Sequence, residues 1–169
     1  MSLWFRLILT VIGAGLRSRM AMVETSVLRF RVMPTDLDFN MHMTNARYHA
    51  FMDLGRLDLI IRTGLWRLLL RRHWQPVLGG AVVRFRRPLK PFQRFELRSR
   101  MLCWDDKWLY IEHRVEVDGS IACQGVVRGA FVGADGLVAP DEVARACGYR
   151  GDAPETPAWI ASWCELEAA

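Results

Sequence analysis

The hydrophobic pattern of this chain predicts five β-strands, and in three of them, residues 23–32, 92–103 and 108–117, apolar and polar positions alternate with a period of two. In the first stretch, apolar side chains on one face alternate with arginines on the other. The last two stretches are joined by Asp118-Gly119, a dipeptide typical of a two-residue hairpin turn. The predicted strands occupy residues 23–32, 77–87, 92–103, 108–117 and 120–132.

Between the first and second predicted strands the pattern changes to the helical period. Apolar residues recur there at spacings of four, three and four, which predicts a helix over residues 46–62. Thr44 or Asn45 is suited to cap the start of this helix. Gly55 inside the helix costs up to about 1 kcal/mol relative to alanine, and a close crossing over a sheet would explain that cost.

A helix with one apolar stripe and an antiparallel sheet with one apolar face can cover each other. The order of the elements therefore predicts an α+β fold, with one antiparallel sheet against one long central helix. We expect an N-terminal hydrophobic segment (1–22), the sheet-and-helix domain (23–133) and a C-terminal helical tail (134–169). The tail pattern indicates a short helix near residues 141–147 and a terminal segment with two tryptophans four positions apart.

The N-terminal segment is apolar from Leu3 to Leu16 but is interrupted by Arg6. It is shorter than the roughly 20 apolar residues that span a bilayer, and it lacks the basic start and small-residue cleavage site of a secretory signal. We expect a helix that lies on the protein or on a membrane surface, with Trp4 and Phe5 pointing inward. A helix that only packs on the domain is the alternative.

Composition limits which classes of binding partner and which cellular compartment we expect. The formal net charge is +5, and only two of the 23 basic residues are lysines. Arginine suits phosphate groups, but the basic residues are scattered and no nucleic-acid-binding motif occurs, so nucleic acid is not expected as a partner. The four cysteines form no C-x-x-C pair and have no histidine at zinc spacing, which favours free thiols in the cytoplasm and no bound metal.

The densest group of polar side chains, DLDFNMHMTNARY, spans residues 36–48 and directly precedes the predicted helix. Unpaired backbone N–H groups at a helix N-terminus favour negative charge. Such an end can stabilise the oxyanion that forms when a carbonyl group is attacked. If the leaving group is a thiolate, it departs readily, and such a site then needs no full catalytic triad.

Three side chains of this stretch are candidate catalytic groups. We assign Asp38 as a general base or a nucleophile. Asn40 can orient a water molecule or the carboxylate, and His42 can hydrogen-bond the carbonyl or share the general-base role. The alternative is that polar residues before a helix only cap a turn and the helix itself.

The same stretch resembles the signature of hotdog-fold acyl thioesterases, above all the plant acyl-carrier-protein thioesterase pattern D-L-D-x-N-x-H-x-N-N-x-x-Y. It is also similar to the D-x-D…Y region of bacterial 4-hydroxybenzoyl-CoA thioesterases. The subgroup it resembles in both the D-L-D…H-M-x-N-A-R-Y run and a hydrophobic N-terminus is the thioesterase-superfamily-member-6-like proteins. Thr44 departs from the plant pattern, which has asparagine there. The plant enzymes also carry a second hotdog repeat, whereas this chain has one.

The resemblance implies a single hotdog fold, in which the sheet wraps around the central helix. It implies an acyl-CoA or acyl-carrier-protein thioesterase without a cofactor, acting as a homodimer or a dimer of dimers. The catalytic residues it implies are Asp38, Asn40 and His42, and the pocket-shaping residues are Asn45 and Tyr48. The CoA phosphates would meet basic residues, for which the candidates are Arg84, Arg86, Arg87 and Lys90.

The sequence is also compatible with two other functions. One is a non-catalytic protein that binds acyl thioesters or lipids, with peripheral membrane contact through residues 1–20. The other is a hotdog dehydratase acting on 3-hydroxyacyl thioesters, in which His42 and a carboxylate would move protons.

Overall fold

The computed structural model describes residues 3–168, so residues 1, 2 and 169 of the predicted terminal segments lie outside it. Its helices are α1 (Leu3–Leu16), α2 (Asn45–Arg62), α3 (Leu65–Arg72), α4 (Pro140–Ala146) and α5 (Ala158–Ala168). Its strands are β1 (Ser26–Arg31), β2 (Gln75–Phe85), β3 (Arg94–Trp104), β4 (Leu109–Val117), β5 (Ser120–Gly133) and β6 (Gly136–Val138). One 3₁₀ turn, Pro34–Asp36, follows β1.

The strands form one antiparallel sheet in the order β1-β3-β4-β5-β2, and β6 pairs with β5. All five predicted strands are confirmed, whereas the three-residue β6 was not predicted. The turn between β4 and β5 has positive φ angles at Asp118 (50°) and Gly119 (74°), as a type I′ hairpin requires. Within the described residues, β1 and β2 form the two ends of the five-strand order.

Helix α2 lies against this sheet and confirms the predicted central helix. Its side chains Tyr48, Phe51, Met52 and Leu54 are buried in the largest apolar cluster, together with residues of β1, β3, β4 and β5. A Cβ atom on Gly55 would overlap Ser99 Oγ and lie 3.0 Å from Leu97 Cδ2. Glycine is therefore required at the close crossing, and the predicted α+β hotdog fold is confirmed.

Beneath α2 the sheet carries a buried polar pair on β3 and β4. Ser99 Oγ lies 2.8 Å from His113 Nδ1. Burial, with a smaller contribution from the charge of Arg56, lowers the pKa of His113 to about 3. The imidazole is therefore neutral at physiological pH and belongs to the core.

Helix α5 of the tail packs on the other face of the sheet, whereas α4 packs in a cluster with Leu65 and Trp74. Ile160 of α5 is fully buried in a cluster with Cys103, Tyr110 and Val126. Side chains alternate between the two faces along a strand, so this cluster lies opposite the face that α2 covers. The predicted tail helices are confirmed.

The four cysteines are free thiols, as the sequence predicted. Burial raises the pKa of Cys123 to about 12 and that of Cys147 to about 11. Thiols of this kind stay protonated and are poor nucleophiles.

Helix α1 is confirmed as a helix, but its predicted orientation is wrong. Trp4 and Phe5 point outward and are 75% and 49% exposed, whereas Arg6, Thr10 and Ala14 form the buried face. The reason is an ion pair: the Arg6 guanidinium reaches inward to the buried carboxylate of Asp36. Among the described residues, no helix has both the length and the apolar character needed to cross a bilayer.

Candidate functional site

The loop between the 3₁₀ turn and α2 folds back on itself. Leu37 and Met43 pair as an isolated antiparallel bridge, and the Asp38 N–H donates to the His42 carbonyl oxygen at 2.9 Å. Met41 takes the left-handed conformation with φ of 59° at the tip of the loop. This local hairpin places Asp38 and His42 opposite each other at its base.

The Asp38 carboxylate is held by the same loop. Its Oδ1 atom accepts hydrogen bonds from the backbone N–H groups of Asn40 (2.9 Å) and His42 (3.3 Å). Asp38 thus does form the Asx-type turn that the sequence allowed as an alternative. Its Oδ2 atom accepts no hydrogen bond from the part of the chain that the structure describes, so the carboxylate is fixed in orientation and keeps one free oxygen.

Asp38 lines an open pocket with a volume of about 290 Å³. Its wall consists of the Asp38 loop, the first turn of α2, and the end of β2 with the three residues that follow it. The pocket brings together six residues that the sequence predicted for the site: Asp38, His42, Asn45, Tyr48, Arg86 and Arg87. Its remaining lining residues are Met43, Phe85 and Pro88.

Three predicted residues do not line this pocket: Asn40, Arg84 and Lys90. Asn40 is exposed and contributes its backbone N–H to Asp38. Arg84 is exposed on β2, outside the pocket lining. Of the two arginines that do line it, Arg87 donates to the carbonyl oxygens of Val117 (2.6 Å) and Ser120 (3.2 Å) in the β4–β5 turn region. Arg86 is therefore the more available cation at the rim.

Tyr48 forms the inner wall of the pocket. Burial, together with the nearby Cys123, raises the pKa of the Tyr48 hydroxyl to about 12, so it is a neutral phenol. Its ring meets Phe85 edge to face at a centroid distance of 5.3 Å. No sequence signal marked Phe85, although it directly precedes the predicted arginines in residues 85–88.

The start of α2 borders the pocket through Asn45, its first residue. Thr44 occupies the N-cap position, one of the two that the sequence offered, but its side chain makes no capping hydrogen bond. The first turn carries no acidic residue either. The positive end of the helix dipole is therefore not neutralised by a carboxylate of the helix itself.

A second cavity of about 360 Å³ lies between the C-terminal half of α2 and the sheet. Most of its lining is apolar, including Leu57, Ile111 and Val127, and it also touches the Asp53–Arg56 ion pair. Burial lowers the pKa of Arg56. The two cavities share no lining residue. No sequence signal marked the second one, because its lining residues follow ordinary core periodicity.

Among residues 3–168, no group of three or more His, Cys, Asp or Glu side chains is placed to hold a metal ion. The chemistry available at the Asp38 pocket is that of a carboxylate, an imidazole, a helix N-terminus and an arginine. This combination suits acid–base or nucleophilic attack on a carbonyl group.

A family profile and several known proteins are similar to this chain in sequence. The sequence profile of the thioesterase-like superfamily matches residues 32–164. The chain is 34% identical to protein THEM6 of Xenopus laevis over 135 residues, which cover 78% of this chain and 63% of the relative. It is 30% identical to a probable thioesterase of Saccharomyces cerevisiae over 92 residues, which cover 53% of this chain and 40% of the relative. The chain thus spans less than two thirds of either relative.

Solved structures share the fold. The crystal structure of the probable thioesterase YbaW from Escherichia coli superposes with a TM-score of 0.67, covering 72% of this chain and 94% of that one. The two sequences are 16% identical, so this likeness concerns the fold alone.

Proposed function

The chain belongs to the thioesterase-like superfamily, and from that premise we propose that it hydrolyses acyl thioesters at the Asp38 pocket. The observation that carries the proposal is the fixed carboxylate of Asp38. It lines an open pocket together with His42 and the first residue of α2. The proposed base, the imidazole and the helix N-terminus therefore border the same pocket.

In the proposed mechanism Asp38 removes a proton from a water molecule, whose oxygen forms a bond to the thioester carbonyl carbon. The carbonyl electron pair moves to oxygen, and the resulting oxyanion is stabilised by N–H groups at the start of α2. Collapse of the tetrahedral intermediate breaks the C–S bond, and the departing thiolate takes the proton from Asp38, so that a carboxylic acid and a thiol are released and the carboxylate is restored. In the alternative first step Asp38 itself attacks the carbonyl carbon, the C–S bond breaks, and the thiolate leaves. The mixed anhydride that forms is then hydrolysed by water, which restores the Asp38 carboxylate and supplies the proton of the thiol.

His42 and Asn40 have supporting roles in this proposal. His42 hydrogen-bonds the carbonyl oxygen or shares the proton, because its side chain lines the same pocket. Asn40 acts through its backbone N–H, which orients the Asp38 carboxylate.

We propose acyl-CoA or an acyl-carrier protein as the source of the thioester. Both carry phosphate, for which Arg86 at the pocket rim is the best placed cation, while Arg87 is engaged with backbone carbonyls. The apolar second cavity falls within the 300–1,000 Å³ range of ligand pockets and offers space for the acyl chain.

The test is a panel of acyl-CoA substrates from acetyl-CoA to palmitoyl-CoA, with benzoyl-CoA included, in which thiol release is followed with a chromogenic reagent. We expect saturable hydrolysis by the full chain and a preference for longer acyl groups over acetyl, because the second cavity is apolar. Binding of acyl-CoA by calorimetry without any product would instead favour the non-catalytic alternative. Hydration of an enoyl-CoA would favour a dehydratase.

We also propose that the chain works as a homodimer paired through β2. This strand bonds to β5 on one side, and its apolar side chains Val77, Leu78, Val82 and Phe85 are exposed. Both cavities border β2 or the residues that directly follow it. A second copy along this edge would therefore stand beside the site.

The outer face of α1 supports peripheral membrane contact by a cytoplasmic protein. Trp4, Ile8 and Ile12 are 75%, 54% and 53% exposed, a pattern typical of helices that lie in a membrane surface. We expect the chain to sediment with anionic lipid vesicles and the double variant Trp4→Ser/Ile8→Ser to remain in solution. Trp159→Ser, at a 45% exposed tryptophan of α5, is the control and should sediment like the unmodified chain. Equal sedimentation of all three proteins would contradict the proposal.

A further inference from the structure

We propose that α1 is part of the site, and that Arg6 is a positioning residue which sets the place of the Asp38 loop by holding Asp36. The inference rests on the proposed thioester hydrolysis. It concerns a side chain 30 positions away from its partner in sequence, outside the motif that suggested the catalytic residues.

The contact between Arg6 and Asp36 is bidentate. Arg6 Nη1 donates to Asp36 Oδ1 at 2.9 Å, and Nη2 donates to Oδ2 at 2.6 Å. Each side chain is only 1% exposed. Two parallel bonds from a planar guanidinium to a carboxylate fix both distance and angle, which a single point contact would not do.

Asp36 in turn connects three parts of the site region. Its Oδ2 accepts the N–H of Met33, just after β1, at 2.8 Å. Its backbone carbonyl accepts the N–H of Thr44, the N-cap of α2, at 2.9 Å. Asp38 lies two residues further along the chain. A shift of Asp36 would therefore move the catalytic carboxylate and the helix N-terminus together.

The surroundings of Arg6 indicate that the pair exists to specify a geometry. Its guanidinium lies over the ring of Phe51 at 4.7 Å and donates to the Arg31 carbonyl at 3.3 Å. Its Nε atom has no hydrogen-bond partner among the described residues. A buried ion pair loses much of its Coulombic gain to desolvation, so stability alone is a poor reason to place an arginine there.

The same helix offers a matched control at its far end. Arg17, the residue after α1, pairs with the fully buried carboxylate of Asp58 at 2.5 Å. Asp58 also bonds to Ser26 and lies 3.6 Å from Arg62. This contact ties α1 to the C-terminal half of α2, away from the Asp38 loop. A role for α1 in packing alone predicts similar consequences for both arginines.

The experiment compares the full chain with Arg6→Lys, Arg6→Gln and Arg17→Gln. Two readouts are measured on folded protein: kcat and KM for the best acyl-CoA of the panel, and hydrogen exchange of backbone amides over residues 37–44. Because a misplacement of about 1 Å can cost about 100-fold in rate, we expect Arg6→Gln to lower kcat by about 10–100-fold with little change in KM. We expect faster amide exchange in this loop for both Arg6 variants, and neither effect for Arg17→Gln.

Arg6→Lys keeps the positive charge but loses the bidentate contact, and Arg47 remains 3.4 Å from the Asp36 carboxylate. This variant therefore provides the comparison if Arg6→Gln does not fold. Unchanged kcat and loop exchange in the folded Arg6 variants would overturn the inference, as would equal losses in Arg17→Gln. If the unmodified chain hydrolyses no thioester, the proposed function fails. Loop exchange then decides the positioning role by itself: faster exchange in the Arg6 variants alone supports it, and equal exchange overturns it.

Discussion

Replacing Asp38 with asparagine is expected to lower kcat for acyl-CoA hydrolysis by about 10²–10⁴-fold, the usual contribution of a general base, with little change in KM. The amide has nearly the same shape as the carboxylate. Its oxygen can still accept the N–H groups of Asn40 and His42 that hold the loop. It cannot take a proton from water or attack a carbonyl carbon, so the chemical step is lost while the pocket is kept.

The measurement is steady-state hydrolysis of the best substrate in the panel, with calorimetric binding of the same acyl-CoA to show that the pocket is intact. Asp135→Asn, at an exposed carboxylate in the turn before β6, is the matched control and should retain full activity. Normal turnover by Asp38→Asn would remove Asp38 from the mechanism.

A lysine at Val82 is expected to separate the proposed dimer and to weaken self-association by about 100-fold or more, since juxtaposed like charges cost several kcal/mol. Val82 lies on β2 and is 40% exposed. It pairs with Val126 of β5, the neighbouring strand within the same sheet. Charged side chains, lysine above all, prevent pairing between edge strands. Activity should fall together with association, because Phe85 and the three residues after it line the Asp38 pocket.

Sedimentation equilibrium measures the association, and the substrate panel measures the activity at the same concentrations. Leu137→Lys places the same charge on the short strand β6, where the leucine is 48% exposed, and should leave both properties unchanged. A Val82→Lys protein that stays dimeric would show that β2 is not the contact. A fully active monomeric wild type would show that no contact is needed.

Much of the fold could be predicted because its signals are local. Alternation along each strand, the period of α2 and the Asp118-Gly119 turn all depend on residues close in sequence. Gly55 illustrates the limit of such signals. Its cost in a helix was visible in the sequence, but the overlap with Ser99 that explains it required the packed sheet.

The candidate site divides in the same way. The loop from Asp38 to His42 closes on itself through bonds between residues at most four positions apart, and the motif marked it directly. The apolar cavity and the contact of Tyr48 with Phe85 carried no signal. A hydrophobic pattern tells which side chains are buried and not which partners they meet.

The sequence by itself determined the strands, the central helix and the carboxylate-bearing loop, because neighbouring residues set local backbone preference and alternation. Only the tertiary structure decided which face of α1 turns inward. Local hydrophobicity favoured burial of Trp4 and Phe5. Arg6 is the buried residue instead, because its guanidinium pairs with the buried carboxylate of Asp36, 30 positions away. A buried charge is tolerated where an opposite charge meets it, and that meeting depends on the folded chain.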